Sequence, residues 1–228
     1  NGVYLIKGDL ISDEDIEIEL DDCLRVEKRI ESKKSIKVLE TLIAGCDIKA
    51  GYNIKAGCDI AAGGGIEAGY GIEAGYSIEA GCDIAAGYGI EAGCNIKARG
   101  GIKAGYGIEA GYGIEAGCDI AAGYGIEAGG GIKAGYGIEA GCDIEAGHGI
   151  AAGYGIEAGG GIKAGLKIVA KWISARLRIF AGIFLYREVT EEEMTITVEE
   201  VKSGTIAYGI LNIVKPKEEV KETKKMKK

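Results

Sequence analysis

Tyr106-Gly107-Ile108-Glu109-Ala110-Gly111 is the commonest form of a six-residue unit that runs unbroken from Cys46 to Lys171. These 126 residues make 21 units, with Ile at the third place and Ala at the fifth in every one. Side chains two apart on a strand share a face, so Ile and Ala point to one side and the Glu, Lys or Ala between them points to the other. Each unit therefore predicts one short strand with an apolar inner face. Gly fills the sixth place in 19 units, and Gly, Asp, Asn or Ser fills the second in all but the unit holding Lys167. Gly, Asn and Asp tolerate positive φ, so each strand is expected to be bracketed by corners that use it. Strand and corner alternating at fixed period predict a parallel β-solenoid. A helix is excluded by the glycine load and collagen by the single Pro.

The first place sets the length of a coil. From Cys46 its residues read Cys, Tyr, Cys, Gly, Tyr, Tyr, and from Cys82 they repeat, a period of 36. That divides into coils of 18 or of 12. Coils of 18 give a triangular interior filled by three Ile and three Ala, and this reading is preferred. They stack Tyr52, Tyr70, Tyr88, Tyr106 and Tyr124 in one column and Glu73, Glu91, Glu109, Glu127 and Glu145 in an outward ridge. Glu79, Lys97, Glu115 and Lys133 alternate in sign in another. Coils of 12 instead place Cys46 beside Cys58, about one strand spacing of ~4.8 Å away and within disulfide reach. Coils of 18 hold same-column cysteines two rungs apart.

Outside the array the pattern predicts four segments. Residues 1–15 read as an N-terminal cap. The solenoid spans 16–181, since Ile18, Leu24, Ile30, Ile36 and Leu42 continue the Ile spacing backward, with Leu20, Val26, Ser32, Val38 and Ala44 in the Ala place. After Ala170 the register slips by one residue, and Ile173/Ala175 and Ile179/Ala181 give two further rungs. Trp172, Phe180, Phe184 and Tyr186 are expected to plug the open end. Residues 182–215 read as a β cap, with Met194–Val198 and Ile206–Ile210 as a hairpin about Lys202-Ser203-Gly204. Residues 216–228 read as a mobile charged tail. The whole predicts about nine coils.

Net charge is −8, which argues against nonspecific nucleic-acid binding. Seven cysteines without a close pairing motif suit a reducing cytoplasm. No signal peptide is expected and no apolar run of 18 is present, so no membrane partner is expected. No cofactor-binding or metal-ligating constellation stands out, and no C-x-x-C occurs. The glycines lack the strand-loop-helix context and Gly-Lys-Ser/Thr ending of a phosphate loop. His148, the one histidine, is a candidate general base, but sequence supplies no partner for it, and it also reads as a plain variant of the first place. The Glu ridge and the Tyr column are the candidate binding face, set against simpler roles in solubility and ladder stacking.

The hexads resemble those of several solenoid families. Left-handed hexapeptide-repeat acyltransferases share the aliphatic rhythm, but they carry a small residue two places before the aliphatic one, where this chain has Tyr, Cys or Gly. Gly57-Cys58-Asp59-Ile60-Ala61-Ala62 is similar to the rhythm of right-handed bactofilin-like solenoids, which implies a right-handed coil. The Leu5-Ile6-Lys7-Gly8-Asp9-Leu10 start, the Ile-x-Ala-Gly array and Leu177-Arg178-Ile179-Phe180-Ala181-Gly182 resemble hexapeptide-repeat proteins of phages and mobile elements. That resemblance implies a shape and no activity. The expected function is a non-enzymatic, acidic, rod-shaped interaction protein directed at a host macromolecule. The expected partner is a protein with a basic groove, with mimicry of DNA in counter-defence as the specific form. A self-assembling scaffold joined through the solenoid ends and a hexapeptide-repeat acyltransferase are the alternatives.

Overall fold

Each hexad does form one strand, three residues long from Ile48–Ala50 to Ile162–Ala164 except the four-residue Gly155–Ala158, and two residues long, Ile168–Val169, in the last; the Ile and Ala of the three-residue strands are buried. In the computed structural model, which describes residues 2–19 and 23–215, the strands wind as a parallel β-solenoid with 18 residues per turn. Ile72 pairs with Ile90, Ile78 with Ile96 and Ile84 with Ile102. Three strands make a turn, and they stack into three faces. The first face holds Ile60–Ala62, Ile78–Ala80 and Ile96–Ala98; the second, Ile66–Ala68 and Ile84–Ala86; the third, Ile72–Ala74 and Ile90–Ala92. The first face alone is a 12-stranded sheet among the described residues. At ~4.8 Å per strand the rod is ~53 Å long. The turn length puts Cys46 and Cys58 on different corners.

The core is one continuous column. Every Ile from Ile48 to Ile168 is buried to 1% exposure or less. A stacked β-branched side chain has few rotamers to lose and packs well on a pleated surface. Ser32 occupies an Ala place as the one buried polar side chain among the described residues. Its hydroxyl donates to Glu14 O at 2.7 Å and accepts from Lys34 N at 3.0 Å, so its burial leaves nothing unpaired.

The corners differ from the sequence expectation. No residue of the regular array has positive φ. What glycine supplies at the sixth place is the missing Cβ: one added to Gly105 would stand 2.1 Å from Gly87 O. Successive corners approach this closely because the ladder runs on through them. Gly105 N donates to Ala86 O, Tyr106 N to Tyr88 O, and Ile90 N to Gly107 O. Arg99 fills a sixth place at one corner, and its N–H still donates to Ala80 O at 3.2 Å, the same length as that from Gly123 to Ala104 O. Left-handed glycines occur at Gly8, Gly182, Gly204 and Gly209, in the outer coils where the hexad spacing fails.

Both ends continue the winding where caps were expected. Within 1–15, Val3–Ile6 pairs with Cys23–Val26 and Leu10–Ser12 with Ile30–Ser32, in parallel and 20 residues apart. Ile16 pairs with Ile36 and Ile18 with Val38, so Ile16 takes the Ile place and Ile18 the Ala place. The backward register thus fails at this point, because two extra residues separate Ile18 from Leu24; Leu20 lies outside the described residues. At the other end the one-residue slip holds: Ile173 pairs with Ile156 and Ile179 with Ile162. Trp172–Ala181 crosses two faces as one ten-residue strand. Residues 195–213 are not a hairpin. Thr195–Val198 pairs in parallel with Ile210–Ile213, and Glu200–Tyr208 follows the long strand, so they form another coil. The expected nine coils become about twelve. The aromatic residues lie outside the core. Trp172 packs over Gly155 beneath the Lys202 ammonium, 3.4 Å from the ring centroid, and Phe184 packs on His148. The expected tail, 216–228, lies outside the described residues.

Candidate functional site

The third face carries the candidate binding residues. Its outward column reads Lys55, Glu73, Glu91, Glu109, Glu127, Glu145 and Lys163, each beside the next in register. The two lysines close the ridge. Lys55 Nζ stands 2.6 Å from Glu73, and Lys163 pairs with Glu145. Glu91, Glu109 and Glu127 have no ion-pair partner among the described residues. Adjacent members stand about one strand spacing apart and repel by roughly 0.9 kcal/mol per pair before salt screening.

Beside this row, at the corner leading into the third face, stands the tyrosine column. Tyr70, Tyr88, Tyr106 and Tyr124 stack with centroids 4.8–4.9 Å apart and planes within 3°. Tyr88 and Tyr106 inside the stack are 45% and 44% exposed, whereas Tyr76 and Tyr112, two rungs apart on another corner, are 60% and 65%. Stacking thus covers part of each ring. Tyr52 belongs to the column by register but is 59% exposed, so the stack proper has four rings. Between tyrosines and glutamates the second-place residues, Gly71, Gly89, Gly107 and Gly125, leave the backbone bare. The result is a groove of ≈ 840 Å³ with an aromatic wall, a glycine floor and an acidic wall.

The second place follows a rule the sequence did not reveal. Its N–H is the donor that the inter-coil ladder leaves over. Wherever the previous coil has Asp or Asn at that place, the side-chain oxygen accepts from it. Asp47 accepts from Gly65 N at 2.7 Å, Asp83 from Gly101 N at 2.6 Å, Asn95 from Gly113 N at 3.1 Å and Asp143 from Gly161 N at 2.6 Å. The carboxylate also occupies space one coil on. A Cβ at Gly64 or Gly100 would stand 2.1 Å from the Oδ1 of Asp47 or Asp83. Gly64 and Gly100 leave that space to the carboxylate, as does Gly160 one coil after Asp143. Below Asp59 and Asp119 the same arrangement admits Tyr76 and Tyr136.

The other candidates are dispersed. His148 is exposed at the corner before the first face, its ring 5.2 Å from that of Phe184. Cys46, Cys82 and Cys118 share a column two rungs apart, Cys58 and Cys94 a second, and Cys142 stands in the tyrosine column. The Cys58 thiol hydrogen-bonds the Glu40 carboxylate at 3.2 Å, which with partial burial pushes its pKa up and keeps it protonated. Among the described residues no three His, Cys, Asp or Glu side chains converge as metal ligands. No helix of the described residues is long and apolar enough to cross a membrane. The first face carries a second groove, of ≈ 580 Å³, beside Glu79, Lys97, Glu115 and Lys133; Lys133 pairs with Glu115 at 3.3 Å. Near the C-terminal end Arg187 and Thr190 hold the Glu193 carboxylate at a pKa of about 2.

Comparison of the chain with protein-family models, with curated proteins and with solved structures found no match.

Proposed function

We propose that the chain is a non-enzymatic binding protein of phage or mobile-element origin, acting in a reducing cytoplasm, whose third face takes a basic macromolecular partner. One observation carries the reading: Glu91, Glu109 and Glu127 form the longest run of like charge on the rod's outward columns, left unpaired beside a stacked aromatic wall. Lys55 and Lys163 neutralise both ends and so delimit the acidic stretch. Unpaired charge aligned along a groove steers an oppositely charged partner and raises its association rate. Tyrosine supplies contact area at low cost in rotamer entropy, and interfaces are enriched in it. The specific form of the reading is mimicry of a nucleic-acid backbone toward a host nucleic-acid-binding protein. The row presents one charge per ~4.8 Å, against one per ~3.4 Å along a DNA strand, and is a sparser version of that pattern.

The test is the affinity of a fluorescein-labelled dodeca-arginine peptide, measured by anisotropy at low salt. Replacing Glu91, Glu109 and Glu127 by Lys is expected to weaken binding by about tenfold or more, and about 0.5 M salt to do the same to the native chain. Unchanged affinity in the triple variant would end the proposal.

A second reading, a scaffold assembled end to end, is favoured by the terminal coils. On the last described coil Leu211 and Ile213 follow the inward places of Ile196 and Val198 yet are 43% and 50% exposed. Unpaired strand edges invite pairing with another chain. Light scattering across concentration separates this from a monomer: a mass that stays constant rules the scaffold out.

A further inference from the structure

We infer that the first face is the contact surface of a dimer, on which two copies of the chain pack antiparallel about a two-fold axis lying between the rungs of Lys97 and Glu115. The third face takes no part, and the glutamate rows of both copies stay uncovered.

The outward column of the first face is complementary to its own reversal. Glu79, Lys97, Glu115 and Lys133 stand on successive rungs, all exposed. Turned end for end on itself, the row sets Glu79 against Lys133 and Lys97 against Glu115, so each charge meets an opposite one. The match continues outward. On the next rung to either side Ala61 meets Ala151, and on the rung after that Ile43 meets Val169. A slip of one rung sets Lys97 on Lys97 or Glu115 on Glu115. A slip of two sets Glu115 on Ala61 or Lys97 on Ala151. Parallel rods in register set every charge on its own kind, which repulsion disfavours. Within one copy Lys133 pairs with Glu115 at 3.3 Å, whereas Glu79 and Lys97 have no ion-pair partner among the described residues.

Shape obeys the same axis. At the corner leading into this face the reversal sets exposed Tyr76 against Gly130 and exposed Tyr112 against Cys94, a large side chain on a small one each time. In the second place it sets Ser77 against Gly131 and Asn95 against Gly113, so side chains of one copy enter the glycine-floored half of the other's groove. Arg99, on the rung of Lys97, faces Gly117 and lies beside the second copy's Glu115. Toward the C-terminal end Phe184 packs over Gly165, in the loop that holds the nearly fully exposed Leu185 and Tyr186. The reversal brings that rung to the second copy's Leu39, itself exposed. Eight rungs span ~38 Å, and a face of six residues is at most ~20 Å wide. The footprint approaches the ~800 Å² per partner of a standard interface.

The experiment weighs the full chain by light scattering and sedimentation across micromolar concentrations, where interfaces of this size associate. The mass is expected to rise from one copy to two and to stop there. Two variants make the row uniform: Glu79→Lys with Glu115→Lys leaves only lysine, and Lys97→Glu with Lys133→Glu leaves only glutamate. Each alone is expected to dimerise at least about a hundredfold more weakly, and their equimolar mixture to recover the two-copy mass, which also shows that both fold. Orientation is read by carbodiimide coupling, in which a touching carboxylate and amine join as an amide and the carbodiimide takes up the water as a urea. An amide between Glu79 and Lys133, located by mass spectrometry, is expected in the two-copy species. Within one copy those residues stand three rungs or ~14 Å apart, beyond the reach of the two side chains. A single-copy mass at every concentration overturns the inference. So does self-association that both variants retain, a mixture of the variants that stays at one copy, or coupling between copies that omits Glu79 and Lys133.

Discussion

The first and third faces of the rod share a backbone, a ladder and a core of Ile and Ala, yet one presents alternating charge and the other a single sign. On the first face Glu79, Lys97, Glu115 and Lys133 alternate, and the corner beside them alternates Cys58, Tyr76, Cys94 and Tyr112. On the third face Glu73 to Glu145 repeat one sign, and four tyrosines at the neighbouring corner touch ring to ring. The difference lies chiefly in the first and fourth places. An outward residue meets chiefly its column neighbours one turn away, so a column can be rewritten without touching the core. The solenoid separates what folds it from what it displays.

That separation can be broken in three ways, taken from the largest expected effect. Ile108→Ala on the third face and Ile114→Ala on the first remove the same buried atoms from equivalent places, and each should cost about 2–5 kcal/mol in denaturant unfolding. A large difference between the two would mean that the surface columns do feed into the core. Asp83→Ala should cost less, about 1 kcal/mol, since it frees the Gly101 amide at a partly exposed corner. The same substitution should let Gly100→Ala be accepted more readily, because the clashing Oδ1 is gone; a double-mutant cycle showing no coupling would refute the clamp. The smallest effect should have opposite sign on the two faces. Glu109→Gln relieves repulsion from Glu91 and Glu127 and should stabilise slightly. Glu115→Gln breaks the pair with Lys133 and should destabilise by roughly 0.2–1 kcal/mol. Both shifts should shrink in high salt, and the same sign at both sites would contradict the contrast drawn between the faces.

The ends show where the reading of letters failed. In the array a residue's place is marked by 21 copies of one pattern, so the partners 18 residues away could be named in advance. Outside it, Ile16 and Ile18 are the same letter two apart, and either fits the Ile place. The 20-residue first coil decides between them, and only the pairing with Ile36 and Val38 makes that length visible. Thr195–Val198 and Ile210–Ile213 alternate as hairpin strands do, but parallel and antiparallel strands with one buried face share that alternation. Their direction follows from the coil beneath. The candidate ridge was legible as five glutamates, while its closure by Lys55 and Lys163 was not drawn from the sequence, although the spacing of 18 points to both. The bond from each second-place Asp or Asn to the amide one coil on needed coordinates, since side chain and amide belong to different coils.

Taken alone, the order of residues settles the inward Ile and Ala and narrows the coil to 18 or 12 residues, because these depend on a period of two along a strand and a period of 36 in the first place; the pairing of Ile72 with Ile90 makes it 18. Both of those periods are properties of one chain read in sequence. Tertiary structure decided what meets across a turn: the missing Cβ at each close corner, the second-place amide that Asp or Asn satisfies, the three glutamates left without a cation, and the parallel coils at both ends. Those depend on distances between atoms many residues apart, and such distances exist only once the chain has closed on itself.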